Sequence, residues 1–346
     1  IEAVATANIT SKAPVILNSA GTVTEVGLTT DAAGTPVVYQ ANGTTWNQAT
    51  FDSSNNKVVV SYNVGGTGAL VAVGTVSGTA ISYGTPVAIS GAGNSYGAIT
   101  YDSSNNKVVI AYRDYSNSDY GTAVVGTVSG TSISFGTPVV FKSANADWIA
   151  TTFDSDSNKV VIAYRISGQG TAIVATVSGT SISYGTEVAF ESNGSQQISA
   201  TFDSDSNKVV IAYRDGLTDY GEAVVGTVSG TSISFGTIVV FNAAVTAQLS
   251  TTFDSNSNKV VIAYEDKGNS DYGTAIVGTV SGTSISFGSE AVFESAETEN
   301  TTASFDSAAN KVVIAYQDDA NSDYGTVVVG TVSGTSISFG SPVVFE

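Results

Sequence analysis

Apolar and polar positions along this chain fall into short runs of four to ten residues, and the same order of runs returns about every fifty residues. In the best-spaced copy the runs are Ile198–Phe202, Lys208–Tyr213, Ala223–Val228 and Ser232–Phe241. They are built from Val, Ile, Thr, Tyr and Phe, the residues that suit a pleated, half-buried surface, so each run predicts a β-strand. The connections "DSDSN" and "SGT" hold the Asp, Asn, Ser and Gly that turns require. Four strands joined by tight turns predict one antiparallel four-stranded sheet per repeat.

The two middle runs, "KVVIAY" and "AVVGTV", are apolar throughout instead of alternating. A strand reads that way when both faces of its sheet are covered. Sheets stacked side by side around an axis meet that condition, and a closed ring leaves no apolar sheet face bare. The fourth run is different. It carries Gly84, Gly136, Gly185, Gly236, Gly288 and Gly340, with Pro86, Pro138 or Pro342 two residues on, and Glu187 or Glu290 at that place in other copies. Gly marks a bulge, and Pro and charge belong on edge strands, so this run predicts the outer rim of each sheet. The expected fold is all-β, a β-propeller of four-stranded antiparallel blades.

The phrase F/Y-D-S-x-x-N-K-V-V opens six copies, at Phe51, Tyr101, Phe153, Phe202, Phe253 and Phe305. The phrase T-V-S-G-T follows in each, at Thr75, Thr127, Thr176, Thr227, Thr279 and Thr331. Residues 1–46 are looser. Residues 34–53 parallel 136–155, which makes Thr35–Tyr39 a fourth strand, and the stretch before it shadows a shortened repeat, with Ala5-Thr6 against Ala49-Thr50 and Lys12 against Lys57. Residues 1–46 therefore read as a degenerate first blade and 47–346 as six near-identical ones, seven in all. The alternative is six blades, with 1–46 an attachment segment that donates one strand.

Composition narrows the chemistry. The 346 residues carry a net charge of −18 with only 12% charged residues, and there is no Cys, His or Met. Without Cys and His the chain lacks the usual zinc ligands and the Ser–His and Cys–His nucleophile pairs. An acidic surface is a poor partner for nucleic acid, whose phosphates need a basic patch. No apolar run reaches the length of a membrane span, so membrane insertion is not expected, and no stretch has the pattern of a signal peptide.

Comparison among the copies separates constant from variable connections. The first and third turns of each repeat hardly change. The connections at 63–68, 113–121, 165–170, 214–221, 265–273 and 317–325 do change, and so do those at 90–97, 142–148, 191–197, 242–248 and 294–300. In an up-and-down blade both variable sets lie at one end, which makes that end the expected recognition face, with unconstrained drift as the alternative. Aromatic candidates there are Trp46, Tyr96, Tyr115 and Trp148, and core packing explains the two Trp equally well. Acidic candidates are Asp114, Asp119, Asp215, Asp219, Asp266, Asp271, Asp319 and Asp323.

The loop D-x-x-N-S-D-Y-G, at Asp114–Gly121, Asp266–Gly273 and in shifted form Asp319–Gly325, offers oxygens that suit calcium. It lacks the spacing of a known calcium loop, and Asx-turns explain it as well, so no cofactor is expected and calcium is kept only as the alternative. The Lys ring at Lys57, Lys107, Lys159, Lys208, Lys259 and Lys311 is expected to pair with the Asp five residues before each. Arg113, Arg165 and Arg214 occupy equivalent places, where ordinary loop pairing is the expectation. A glycosidase-type carboxylate pair stays open.

The wording "NKVVIAYRD" followed by "NSDYGTAVVGTVSGTSISFGTPVVF" resembles repeats in virion-associated proteins of marine bacteriophages such as cyanophages, of tail-fibre or decoration type. "APVILNSAGTVTEVG" is similar to the lead-in before such repeats. The resemblance spans nearly the whole chain. It implies a non-enzymatic propeller on the virion surface, whose partners are other virion proteins and a host-surface glycan or protein. A secreted adhesin or lectin at a bacterial surface is the alternative, and a glycan-cleaving propeller enzyme a further one.

Overall fold

In the computed structural model the described residues are 34–65, 68–89 and 94–345, with backbone alone at 94–96 and in three short strands within 1–33. The chain divides into two compact units, Ile1–Gly34 and Thr35–Glu346. In the first unit Val4–Ala5 pairs in parallel with Thr22–Glu25, and Val15–Leu17 pairs with it antiparallel. The proposed matches of Ala5-Thr6 and Lys12 to the repeat lie outside the described residues, apart from the strand backbone of Ala5.

The second unit contains six four-stranded antiparallel sheets in sequence order, the blades of a β-propeller. Blade 2 shows the plan: Asn94–Asp102, Lys107–Asp114, Tyr120–Ser129, then Ser132–Phe135 and Val139–Asn145, which both pair with the third strand. The first strands of successive blades touch one another, so they are the inner ones. The fourth strand is the outer edge, as expected. In blades 4 and 5 it runs without a break into the next inner strand, over Val239–Asp254 and Ala291–Asp306. Thr35–Tyr39, expected to be a strand, forms none; yet Tyr39 packs on Tyr62 with ring centroids 5.0 Å apart.

That contact belongs to a series. Phe141, Phe190, Phe241 and Phe293, each on the fourth strand of one blade, pack at 5.1–5.3 Å on Tyr164, Tyr213, Tyr264 and Tyr316 on the second strand of the next. Around each pair the all-apolar middle strands close a core shared by two blades. Val109, Ala111, Ala123 and Val125 of blade 2 meet Val160, Ile162, Ile173 and Ala175 of blade 3. Continuous apolar runs appear in the sequence because both faces of an inner blade are covered this way. The equivalents Val313, Ala315, Val327 and Val329 on the far face of blade 6 are partly exposed, and so is Phe345, at 39%.

The rim glycines are explained by close approach. A Cβ at Gly136 would lie 2.0 Å from the Thr180 carbonyl oxygen of blade 3, and one at Gly236 1.7 Å from that of Thr283 in blade 5. Each of these glycines also donates its N–H to the third strand of its own blade, Gly136 to Val125 O and Gly236 to Val225 O, both at 2.9 Å. Gly340 has no such neighbour: its nearest contact is Val329 O of its own blade, at 3.7 Å. Glu187 and Glu290, read from the sequence as edge-blunting charges, have a more specific role. They accept hydrogen bonds from the buried hydroxyls of Tyr164 and Tyr264 at 2.7 and 2.9 Å.

The constant turns show one correction. Asp52, Asp102, Asp154, Asp203 and Asp254 are buried and accept backbone N–H groups of their own turns, such as Ser54 N and Asn55 N at 3.0 Å for Asp52. The Asn four residues on adopts φ of 53–55°, the left-handed conformation Asn tolerates. Among the described ion pairs none joins a ring Lys to its Asp. Lys208 and Lys259 instead donate to turn carbonyls, and Lys311 to Thr331 Oγ1. The carboxylate is already held by two backbone N–H groups of its own turn.

Two measurements check this packing. Gly236→Ala is expected to lower stability by about 1–3 kcal/mol or more in urea unfolding, because the obstacle is rigid backbone. Gly340→Ala, with open space, is expected to stay within about 0.5 kcal/mol. The second concerns alkali. Burial, and then neighbouring carboxylates, push the Tyr213 and Tyr264 hydroxyls far above the usual value of 10.0. The folded chain thus keeps protons that the unfolded chain loses, so stability holds below about pH 10 and falls as pH rises past it. The part of the tyrosinate absorbance that belongs to the buried tyrosines should rise together with unfolding.

Candidate binding face

Both variable sets of connections meet at one end of the blades. Thr246 N, in the connection leaving blade 4, donates to Asp219 O in the loop between that blade's second and third strands, at 3.0 Å. Thr298 N donates to Asp271 O in blade 5, and Gly216 N of blade 4 to Gly194 O in the connection leaving blade 3. The constant turns touch one another separately: Tyr101 Oη donates to Ser54 Oγ at 2.7 Å.

At the variable end every inner strand has a β-bulge. The ladder shifts register between Thr45 and Gln48, Ser95 and Ala98, Asp147 and Ala150, Gln196 and Ser199, Ala247 and Ser250, and Glu299 and Thr302. Five described residues at the bulge have left-handed backbone: Trp46, Trp148, Gln197, Gln248 and Asn300, with φ of 49–56°. That conformation is rare for such side chains and costs on the order of 1 kcal/mol. Tyr96 holds the same place in sequence, and its side chain lies outside the described residues. Trp46 is 41% exposed, and Trp148 leans on the core between blades 3 and 4. Gln197 Oε1 accepts the N–H of Gln248 from the next blade. Asn300 Nδ2 donates to Gln317 Oε1 at 3.0 Å.

Behind this ring stand Asn63, Arg113, Arg165, Arg214, Glu265 and Gln317, one at the end of each second strand. The arginines are answered locally, as the sequence led one to expect. Asp147 accepts from Arg113 Nη1 at 2.6 Å and from Arg165 Nη2 at 3.1 Å, joining blades 2 and 3. Arg113 also meets Asp119 at 3.1 Å and lies over the Tyr115 ring at 5.0 Å. Arg214 Nε donates to Asp219 at 2.8 Å. Blade 5 reverses the signs: buried Glu265 accepts from Lys267 Nζ at 2.6 Å, and Asp271 lies 3.4 Å from that ammonium. Burial raises the Glu265 carboxyl above its usual range, and Lys267 opposes the rise.

Several acidic candidates are thereby occupied. Asp114 and Asp266 cap short 3₁₀ turns, accepting from Ser116 N and Gly268 N at 3.0 Å. Asp215 accepts from Leu217 N and Thr218 N. The loop expected to offer calcium oxygens spends them on caps and ion pairs. The shifted assignment of Asp319 needs correcting. The capping position in blade 6 is Asp318, and Asp319 lies inside the 3₁₀ turn Asp319–Asn321, where Tyr115 and Lys267 sit in their own blades. Slight loss of hydration and a hydrogen bond shared with Asp323 raise the Asp319 carboxyl.

A cleft between blades 1 and 2 is lined by Trp46, Asn63, Gly97 and Tyr112 among others, with a volume near 20 Å³. That is room for about one water, so a larger ligand would sit on the rim instead of inside it. Sequence reading missed Gln197, Gln248, Asn300 and Asp147. The first three stand five residues before their repeat's Phe, as do Trp46 and Trp148, so an internal alignment by column would have found them.

No protein-family profile and no curated protein sequence matches the chain. Solved structures do. The SapL1 lectin, in complex with α-methyl fucoside, superposes with a TM-score of 0.55 at 13% identity, covering 86% of this chain and 95% of the lectin. A putative 6-phosphogluconolactonase from Bacteroides uniformis gives 0.62 at 10% identity over 86% and 85%. The NanB sialidase of Streptococcus pneumoniae gives 0.58 at 10% identity over 81% and 66%. Likeness at this identity carries the fold, and these proteins include both a binder and enzymes. Among the described residues no helix is long and apolar enough to cross a membrane.

Asp147 should matter more than its neighbours. Asp147→Ala leaves Arg113 and Arg165 facing each other, both partly buried, and is expected to cost roughly 1–3 kcal/mol in urea unfolding. Asp219→Ala, which breaks a more exposed pair, is expected to cost under about 1 kcal/mol.

Proposed function

We propose that this protein is a non-enzymatic recognition module that binds carbohydrate at the variable end of its blades. The observation that carries this reading is the ring at the bulges. The same unfavourable backbone recurs blade after blade, while the side chain it presents changes among Trp, Gln and Asn. An indole offers a flat apolar face to a sugar ring, and amides offer both donors and acceptors to hydroxyls. The Asp147–Arg165 pair beside Trp148 adds polar atoms at the same mouth. A propeller that binds a fucoside, the SapL1 lectin, lends the reading support at the level of fold.

The place of action follows the sequence resemblance. Display on a phage particle beside other virion proteins, with a host-surface glycan as ligand, is the first version. A secreted bacterial adhesin is the second. Immunogold labelling of purified particles distinguishes them.

Glycan-array binding by the full chain tests the ligand class. Trp46→Ala and Trp148→Ala are each expected to weaken binding about tenfold, roughly the 1.4 kcal/mol of one stacking contact. Unchanged circular dichroism would show that the fold survives. Equal binding by the double variant, or turnover of a polysaccharide at the same face, would refute the proposal.

A further inference from the structure

The joint between blades 3 and 4 differs from its sister joints in one chemical respect. Glu191 ends the fourth strand of blade 3, Asp215 ends the second strand of blade 4, and Glu222 stands near the start of the third strand of blade 4. One carboxylate oxygen from each lies within 4.8 Å of the others. Glu191 and Asp215 are buried and Glu222 is partly buried.

The next joint shows one neutral solution for this place, whereas blade 2 holds Lys142 and blade 5 holds Glu294 at the same position. Asn242 stands where Glu191 does, each opposite the first Gly of its neighbouring third strand, Gly221 and Gly170. Thr246 faces Asp266 there as Ser195 faces Asp215 here. Asn242 Nδ2 donates to Asp266 Oδ1 and to Thr246 Oγ1, both at 3.1 Å, so a neutral amide satisfies the buried carboxylate and hydroxyl together. At the joint of blades 3 and 4 this place holds an acceptor, Glu191, as it holds Glu294 at the joint of blades 5 and 6. What sets this joint apart is Glu222, where Thr122, Thr171, Thr274 and Thr326 stand in sister blades.

The donors present do not answer three charges. Glu191 accepts from Asn193 N at 2.7 Å and from Tyr213 Oη at 3.4 Å, Glu222 shares that one Tyr213 hydroxyl, and Asp215 accepts from the turn after it. None of the ion pairs among the described residues includes any of the three. Arg214, next to Asp215 in sequence, is committed to Asp219. The Ser195 hydroxyl, fully buried in the place from which Thr246 reaches Asn242, has no hydrogen-bond partner. Buried carboxylates without a counter-charge are strongly unfavourable, and three oxygens converging beside an unsatisfied hydroxyl make a hard, anionic, all-oxygen pocket. Such a donor set selects calcium, which accepts irregular oxygen shells completed by water.

We propose that Glu191, Asp215 and Glu222, with the Ser195 hydroxyl, bind one calcium ion that staples blade 3 to blade 4 beneath the variable loops. The ion supplies the positive charge that Asn242 makes unnecessary at the next joint. It would also fix the connection 192–194, whose Gly194 O already accepts from Gly216 N.

The test is thermal unfolding of the full chain after EDTA treatment, with calcium chloride added back, alongside calorimetric titration of calcium. The wild type is expected to gain several degrees in Tm at saturating calcium, with a single site. Glu222→Thr and Glu191→Asn, the residues of sister joints, should fold and should weaken calcium at least about tenfold. A wild-type Tm indifferent to calcium would overturn the proposal, as would a calcium shift that survives in both variants. So would a Tm without calcium that simply falls between pH 5 and 8 and is raised by Glu222→Thr, for then a shared proton does the ion's work.

Discussion

Blades 2 to 6 are held together through one recurring contact, an aromatic side chain on an outer strand pressed against a buried Tyr of the following blade, and Ile89 takes that place in the core it shares with Tyr112 between blades 1 and 2. A single four-stranded sheet this apolar cannot stand alone in water, because it buries only one face at most. The contact therefore sets the repeat's composition. Val and Ile fill both faces of the middle strands, Gly opens the rim so that the next blade's turn can approach, and the Tyr hydroxyl finds a carboxylate on its own blade or across the joint. On the far face of blade 6 the same residues stay partly exposed.

This division of labour frees one end of the molecule. Packing between blades is carried by strands and by the constant turns, which Asp residues, buried in blades 1 to 5, close on themselves. The opposite connections carry little of the shared core, so their length and chemistry vary without loss of the fold. The bulge at the end of each inner strand is the hinge between these two regimes. It is repeated by the scaffold, and it aims a side chain that the scaffold does not prescribe.

Charge follows the same logic. The molecule is strongly acidic, yet the variable end is laced with local pairs: Arg113, Arg165 and Arg214 with Asp residues, and Glu265 with Lys267. Blade 5 exchanges the signs and keeps the pairing, which marks these contacts as support for the loops. The joint of blades 3 and 4 breaks the pattern, since three carboxylates converge there.

The amino-acid order alone fixed the strand modules, their turns, the edge character of the fourth strand and the grouping of variable connections. Those properties are local: they depend on side-chain alternation, on Gly, Asn and Asp in turns, and on a period visible within fifty residues. Trp46 and Trp148 were legible because their column could be read, and Gln197 and Gln248 were overlooked only because amides are common on surfaces. What tertiary structure decided lies across joints. That Gly236 meets Thr283, that Asp147 bridges two arginines from different blades, and that Glu191 reaches Asp215 and Glu222 depend on how one sheet is rotated against the next. No spacing along the chain encodes that rotation, because it is set by the joint packing of two whole faces.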